Sequence, residues 1–166
     1  MAVPHTLAET EREVEKRLGK LPIDYSSMAV ASNLFRAANA VRNHLERTVL
    51  SENDLSWTAF VVLWVTWIWE PIETRQIALE GGFSKATLTG VLSTLEGRGW
   101  VQREKSTTDG RLVLVRMTPS GRTLMVKLFP AFNKEEQYVA SPVDPAKRDG
   151  FAEMLRLVTA HVEKQP

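Results

Sequence analysis

The chain has 166 residues and no cysteine. That absence excludes disulfides, thiolate zinc sites, cysteine nucleophiles and thiol-based redox sensing. Histidine is scarce as well: His5, His44 and His161 lie far apart and give no local metal-ligand spacing, so no metal or other cofactor is expected. Long apolar runs are missing. The longest, Ala59 to Trp69, includes Thr66, whereas a membrane span needs roughly 20 apolar residues. No basic segment leads into an apolar one at the N-terminus, as a secretory signal would require. The expectation is a cytoplasmic protein with no membrane partner. A nucleophile elbow, a P-loop, a dinucleotide fingerprint and a zinc motif are all absent from the sequence. Glu135 and Glu136 are adjacent, so on a helix they do not converge on one face. No enzymatic activity is expected.

Charge of one sign is also lacking overall: 21 Lys and Arg face 20 Asp and Glu, for a net +1. Position changes that picture. Residues 1–80 carry net −3, residues 81–127 net +5, and residues 128–166 net −1. A basic segment within a neutral chain is compatible with a solvated surface, and also with nucleic-acid binding.

Hydrophobic spacing predicts a mainly helical chain. Leu7, Val14 and Leu18 mark a short helix over 6–19, stopped at Gly19, and Leu21 to Asp24 forms a linker. Ser26 or Ser27 caps a long helix to about Leu50, striped by Met28, Ala31, Leu34, Phe35, Ala38, Val41 and Leu45. Ser56 caps a helix over 57–69 that is apolar on more than one face and holds four of the five tryptophans. It reads as the central helix, its aromatics forming core, although a ligand cavity within that core is compatible with the same residues. A short helix over 73–80, the turn Gly81-Gly82 and a Ser84-capped helix over 85–98 give a helix-turn-helix layout.

In the second of these helices, Leu88, Val91, Leu92 and Leu95 form the inward stripe. Ala86, Gly90, Ser93 and Gly97 fall opposite, flanked by Thr89 and Thr94. So small an outward face suits close approach to another surface, either the major groove of DNA or a neighbouring protein. Residues 100–105 alternate as a strand, and the aliphatic, β-branched run from Leu112 forms a second that ends near Met117; with the turn containing Asp109-Gly110 between them they predict a β-hairpin wing with Arg103, Lys105 and Arg111 around its loop. A basic wing tip suits phosphate or minor-groove contact. Thr118-Pro119 starts a helix to about 139, which Pro130 should kink or split. Asp144-Pro145 starts the last helix, 145–164, striped by Phe151, Met154, Leu155, Val158 and Val162.

Across Leu55–Thr123 the segments occur in the order found in one family. They are Leu55-Ser56-Trp57-Thr58-Ala59-Phe60-Val61-Val62-Leu63, Ile77-Ala78, Phe83-Ser84-Lys85-Ala86-Thr87-Leu88-Thr89, Leu95-Glu96-Gly97-Arg98-Gly99-Trp100-Val101-Gln102-Arg103, Asp109-Gly110-Arg111 and Met117-Thr118-Pro119-Ser120-Gly121-Arg122. Together they resemble the multiple antibiotic resistance regulator (MarR) family of dimeric winged helix-turn-helix transcription factors. The resemblance implies a mainly α fold with a small β-hairpin wing, in which a winged helix-turn-helix lobe joins a helical dimerisation lobe. The expected division is 1–24 as an extra arm and linker, 25–54 as a dimerisation helix, 55–118 as the DNA-binding lobe and 119–166 as C-terminal dimerisation helices.

The implied partners are a second copy of the chain, a pseudopalindromic double-stranded operator and a small effector, often aromatic and acidic. Ser84, Lys85, Thr87, Thr89 and Ser93 would meet phosphates or base edges. Arg103 and Lys105 would support the wing's DNA contact, Arg111 would reach into the minor groove, and Asp109 would hold the wing through a charge-assisted contact. Asn39, His44, Trp57, Phe60, Trp64 and Trp67 could line an effector pocket, or serve as ordinary core and surface. Two departures stand out. Gly90 occupies a position where many members carry Arg, removing a guanine-reading fork worth roughly 1–3 kcal/mol. Gly110 replaces a frequent wing arginine. The implied function is a transcriptional regulator, most commonly a repressor released by its ligand. A constitutive DNA binder and a winged-helix protein-interaction module are the alternatives.

Overall fold

A computed structural model describes residues 5–107 and 109–164 of the chain. Thr108 of the wing loop and the first four residues, read above for a leader, lie outside the described residues. The chain divides into two compact units, Met1–His44 and Leu45–Pro166, a division placed differently from the four segments expected from the sequence.

In the first unit, α1 (Leu7–Leu18) opens with a capping box: Thr6 Oγ1 accepts the Glu9 N–H at 3.2 Å, and the Glu9 carboxylate accepts the Thr6 N–H at 2.7 Å. The next helix, α2 (Tyr25–Leu45), begins on Asp24 and not on a serine. Its carboxylate accepts the N–H groups of Ser26 and Ser27 at 2.9 and 3.2 Å, and both of their hydroxyls. A carboxylate outcompetes a hydroxyl here because it is charged and offers two oxygens to the positive end of the helix. The Ser27 and Ser26 hydroxyls, with the Ser27 N–H, hold the Asp24 pKa down at about 2. Asn33 of α2 donates to Glu11 of α1 at 2.7 Å. The regular helix stops at Leu45, short of the expected Leu50. A π-helical turn (Glu46–Leu50) and a 3-10 turn (Ser51–Asn53) follow, and Asp54 ends them in the left-handed region at φ 51°.

The second unit is built around α3 (Trp57–Trp69), which packs against the helices over 74–81, 85–97 and 119–140 and against the strand over 113–117. Ser56 caps it by accepting the Ala59 N–H at 3.2 Å. Its Phe60, Val62, Leu63 and Val65 are buried, as expected of a helix apolar on several faces. Thr66 is buried as well, its hydroxyl satisfied by the Val62 carbonyl at 2.7 Å. After Pro71 comes a strand that the sequence reading does not anticipate: β1 (Ile72–Glu73) pairs antiparallel with β3 (Val113–Met117), Ile72 opposite Val115. Two residues carry no periodicity, so only tertiary pairing reveals this strand. With β2 (Val101–Lys105) the sheet order is β1-β3-β2, so the expected hairpin is the larger part of a three-stranded sheet.

Pro119 opens α6 (Pro119–Ala140), which continues through Pro130 as one helix and is not split there. Pro130 cannot donate to Val126, but Val126 is 60% exposed, so water can satisfy that carbonyl. The last segment begins with a 3-10 turn (Pro145–Lys147) capped by Asp144, and only then becomes α7 (Arg148–Glu163).

Glu70, at the end of α3, binds β3 and α6 together: its carboxylate accepts the Met117 N–H at 2.6 Å and pairs with Arg122. Gly121, in the first turn of α6, lies against the backbone carbonyl of Trp100, and a Cβ there would collide with it. The obstruction is backbone, which cannot rotate away. Gly121→Ala is therefore expected to lower stability by about 1–3 kcal/mol or more through overpacking, measured as the midpoint of urea unfolding; an unchanged midpoint would rule out this close approach.

Candidate nucleic-acid interface

The helix-turn-helix pair is α4 (Thr74–Gly81) and α5 (Lys85–Gly97). Gly82 joins them at φ 64°, a left-handed position suited to glycine. Ser84 caps α5, accepting the Thr87 N–H at 3.1 Å. The buried side of α5 is Leu88, Leu92 and Leu95, with Val91 half-buried. The opposite side is open: Lys85, Ala86, Thr87, Thr89, Gly90, Ser93 and Thr94 are all exposed, and a side chain at Gly90 would meet nothing within 4 Å.

The hydroxyls on this face are already oriented. Ser84 and Thr87 share a hydrogen bond of 2.8 Å. Thr89 donates to the Lys85 carbonyl at 2.8 Å, and Thr94 to the Gly90 carbonyl at 3.1 Å. A threonine whose proton is held by the backbone presents its remaining lone pairs and its methyl group outward. Such a group can accept from a base amino group or a bound water, and its methyl suits the thymine methyl.

The wing begins where Gly99, at φ 70°, turns the chain out of α5. β2 then runs back beside that helix, and Lys105 pairs opposite Val113 at the hairpin's far end. In the loop, Ser106 Oγ accepts the Asp109 N–H at 3.2 Å. The Asp109 carboxylate takes three bonds from Arg111: the backbone N–H at 3.0 Å, Nε at 3.1 Å and Nη2 at 3.1 Å. The Arg111 side chain is nevertheless 91% exposed, so it is oriented without being covered.

Arg103 is placed differently. Its guanidinium meets Glu96 Oε2 through Nε at 3.0 Å and Nη2 at 2.5 Å, and Nη2 also reaches Ser93 Oγ at 3.4 Å. Arg98 is a further anchor that the sequence reading overlooks: it donates to the Asp54 carbonyl at 2.9 Å and lies over the Trp100 ring at 4.9 Å. The basic composition of 81–127 flags Arg98, but no sequence pattern pairs it with Asp54.

The six residues considered for an effector fall in different surroundings. Asn39 and His44 lie on α2 in the first unit; Asn39 donates to the Phe35 carbonyl at 3.0 Å and accepts from Arg42 at 3.1 Å. Trp57, Phe60, Trp64 and Trp67 lie on α3 and interleave with α6. Phe60 stacks on Phe132 at 4.1 Å and Trp64 on Phe129 at 4.6 Å, with Trp67 edge-on to Trp64 at 5.9 Å. A groove of about 600 Å³ in the first unit is lined by α1 and α2, among them Leu7, Val14, Tyr25 and Met28, and by none of these six residues. Among the described residues no His, Asp and Glu cluster could hold a metal, and no helix is long and apolar enough to cross a membrane.

A recognition helix with a small, open outer face, followed by a hairpin with an exposed arginine at its tip, defines a winged helix-turn-helix protein. Residues 55–113 match the model of the MarR family. The chain is 34% identical to the HTH-type transcriptional regulator YwaE of Bacillus subtilis over 155 residues, 92% of this chain and 91% of that protein. It is 25% identical to the HTH-type transcriptional regulator MgrA of Staphylococcus aureus over 76% of this chain and 82% of that one. Among solved structures, Sco3205 of Streptomyces coelicolor in complex with DNA superposes with a TM-score of 0.76 at 18% identity, covering 87% of this chain and 94% of that one. BpsR of Bordetella bronchiseptica, whose DNA binding is regulated by 6-hydroxynicotinic acid, superposes with a TM-score of 0.71 at 25% identity, covering 78% and 98%. The chain belongs to the MarR family and is a DNA-binding transcriptional regulator.

Two carboxylates of the interface titrate low. Hydrogen bonds from the side chain and then the backbone of Arg111 hold Asp109 below its ordinary 3.8, and those of Arg103 hold Glu96 below its ordinary 4.5. A folded-state pKa below the unfolded one means that each contact contributes fully above the unfolded value and is lost as pH falls through the folded one. In a ¹³C NMR titration of the side-chain carboxyls, Asp109 should titrate below 3.8 and move upward in Arg111→Ala. Identical curves in the two proteins would disprove the contact.

Proposed function

We propose that the chain acts as a homodimeric repressor on a pseudopalindromic operator, with α5 in the major groove and Arg111 in the minor groove of each half-site. The observation that carries this reading is the pairing of the open α5 face with a wing arginine that Asp109 orients at two atoms while 91% of its side chain stays exposed. Lys85, exposed in the first turn of α5, neutralises a phosphate. Ser84, Thr87, Thr89 and Ser93 approach the sugar-phosphate backbone and the base edges, and Lys105 adds a cation along the wing. With Gly90 at the centre of the face, base discrimination comes from threonine methyls and lone pairs and from DNA shape.

Dimerisation is supported by apolar side chains left exposed on the flanking helices. Phe35 and Val30 on α2 are 71% and 62% exposed, and Phe151, Met154, Leu157, Val158 and Val162 are exposed along α7. A two-fold dimer sets its recognition helices one helical turn apart, roughly 34–36 Å. Segments 25–54 and 119–166 supply the dimer contacts, 55–118 supplies the DNA contacts, and residues 1–24 form an additional arm. The protein works in the cytoplasm, where its operator is, and performs no catalysis.

Repression is relieved by a small aromatic acid. The solved relative regulated by 6-hydroxynicotinic acid supports this, as does the absence of cysteine, which leaves non-covalent binding as the route of sensing. Such a ligand acts by binding one dimer geometry more tightly than another. Trp57, Phe60, Trp64 and Trp67 of α3 are the residues offered for it.

Arg111→Ala is expected to weaken binding to a fragment selected from random DNA about tenfold, and Lys85→Gln to reduce the salt slope by about one contact. Both are read by gel shift across a salt series; unchanged affinity in the first variant and unchanged slope in the second would remove those residues from the interface. Titrating 6-hydroxynicotinic acid should quench tryptophan fluorescence and release the fragment. A panel of aromatic acids that does neither would leave a constitutive binder.

A further inference from the structure

Glu96 is the one acidic side chain of α5, and it sits in the last turn of that helix. Two effects disfavour a carboxylate there. The helix C-terminus carries partial negative charge, and a docked duplex would add phosphates nearby. Glu96 is nevertheless half-buried and closely bound. Its Oε1 accepts the Arg103 backbone N–H at 3.1 Å, and its Oε2 accepts Nε at 3.0 Å and Nη2 at 2.5 Å. The other reach of Nη2, to Ser93 Oγ, returns to the same helix one turn earlier. An exposed ion pair between two flexible side chains contributes little. This one differs, because a single carboxylate engages a backbone N–H and a planar fork together, which fixes the direction of β2 as well as its distance.

We propose that Glu96 and Arg103 are positioning residues that set the wing against the recognition helix, and that Arg103 acts on Glu96 and not on a phosphate. The inference rests on the DNA-binding reading above and replaces the DNA contact that the sequence suggests for Arg103. β2 has only five residues and leaves α5 through a glycine turn. The three bonds on Glu96 give the wing a second anchor to that helix, two residues short of the strand's end. The far edge of the sheet is held where Ile72 of β1 pairs opposite Val115, level with Arg103; without the bonds to Glu96 the β2 edge beside α5 would be free to tilt about that line and carry Arg111 through an arc. Clamped at Arg103, the wing presents Arg111 at one height relative to α5.

The decisive variant is Glu96→Ala combined with Arg103→Ala, which removes one charge of each sign and keeps the net charge at +1. On a duplex selected from random DNA by the wild-type protein, the double variant should bind roughly tenfold more weakly, the loss of about one charge-assisted hydrogen bond. Its salt slope should be unchanged. Hydroxyl-radical protection of the minor groove should fade while methylation protection of guanine N7 persists; a variant that merely misfolds would lose both together. If Arg103 instead neutralises a phosphate that Glu96 shields, Glu96→Ala alone binds more tightly with a steeper slope, and Arg103→Ala lowers the slope by about one contact. Either result, or a double variant that binds and footprints like wild type, overturns the proposal.

A DNA-free measurement separates this proposal from the reading beneath it. In Glu96→Ala without DNA, amide exchange at Arg103 and along β2 should accelerate. Accelerated exchange in a protein whose wild type binds no duplex would keep the clamp and refute the DNA reading. Unaltered exchange would refute the clamp alone.

Discussion

The Gly99-Trp100 turn is the junction on which the DNA-binding lobe depends. Three elements converge on two peptide units. The Trp100 N–H closes the end of α5 on the Leu95 carbonyl at 3.0 Å. The Gly99 carbonyl accepts the hydroxyls of Thr118 and Ser120 at 2.5 and 2.6 Å, and the Trp100 carbonyl accepts the Thr118 N–H at 3.1 Å. The start of α6 then presses its glycine against that same carbonyl. The constraint is steric as much as polar: a left-handed residue turns the chain, and a residue without a side chain receives it. The second helix of the helix-turn-helix, the wing and the helix beyond are thereby fixed to one point.

The hydrophobic core supplies the rigidity that makes this junction useful. Leu63, Ile77, Leu92, Leu95, Val101, Val115 and Met125 come from six different elements and are essentially inaccessible to solvent. The aromatic side chains of α3 and α6 extend this core: Trp57 and Phe60 each stack on Phe132, Phe132 on Phe129, and Phe129 on Trp64. Rings in offset contact resist sliding and contribute beyond the area they bury. A site meant to read a duplex gains from such backing, because the outer face of α5 has almost no bulk of its own and takes its shape from the residues beneath it.

Much of this was legible in the sequence, for identifiable reasons. The recognition helix follows from a 3.6-residue stripe of leucines with small residues opposite, and Ser84 and Thr118 announce their helices because a hydroxyl there satisfies N–H groups that the helix cannot. The competition between Asp24 and the nearby Ser26 and Ser27 is not visible in the same way, since all three can serve as caps and only geometry selects one. β1 is too short to leave a pattern. The continuity of α6 through Pro130 depends on which side of the helix meets water, a property of the packed helix and not of proline.

The functional residues divide along the same line. Arg111 and Asp109 are two positions apart, so a turn brings them together by local geometry, and the sequence by itself determined that they are near, while the bonds between them appear only in the structure. Glu96 and Arg103 are seven apart, across a helix end and a left-handed turn, and both appear in the sequence reading without being joined. Only the tertiary structure decided that Arg103 turns back onto α5 while Arg111 points outward. The physical reason is range: capping, periodicity and turn chemistry act over a few residues, whereas the partner of a long side chain is set by which elements the core brings alongside it. The absence of cysteine and the basic segment within a neutral chain were fixed by composition; which of those basic groups are covered and which stay exposed was settled by packing.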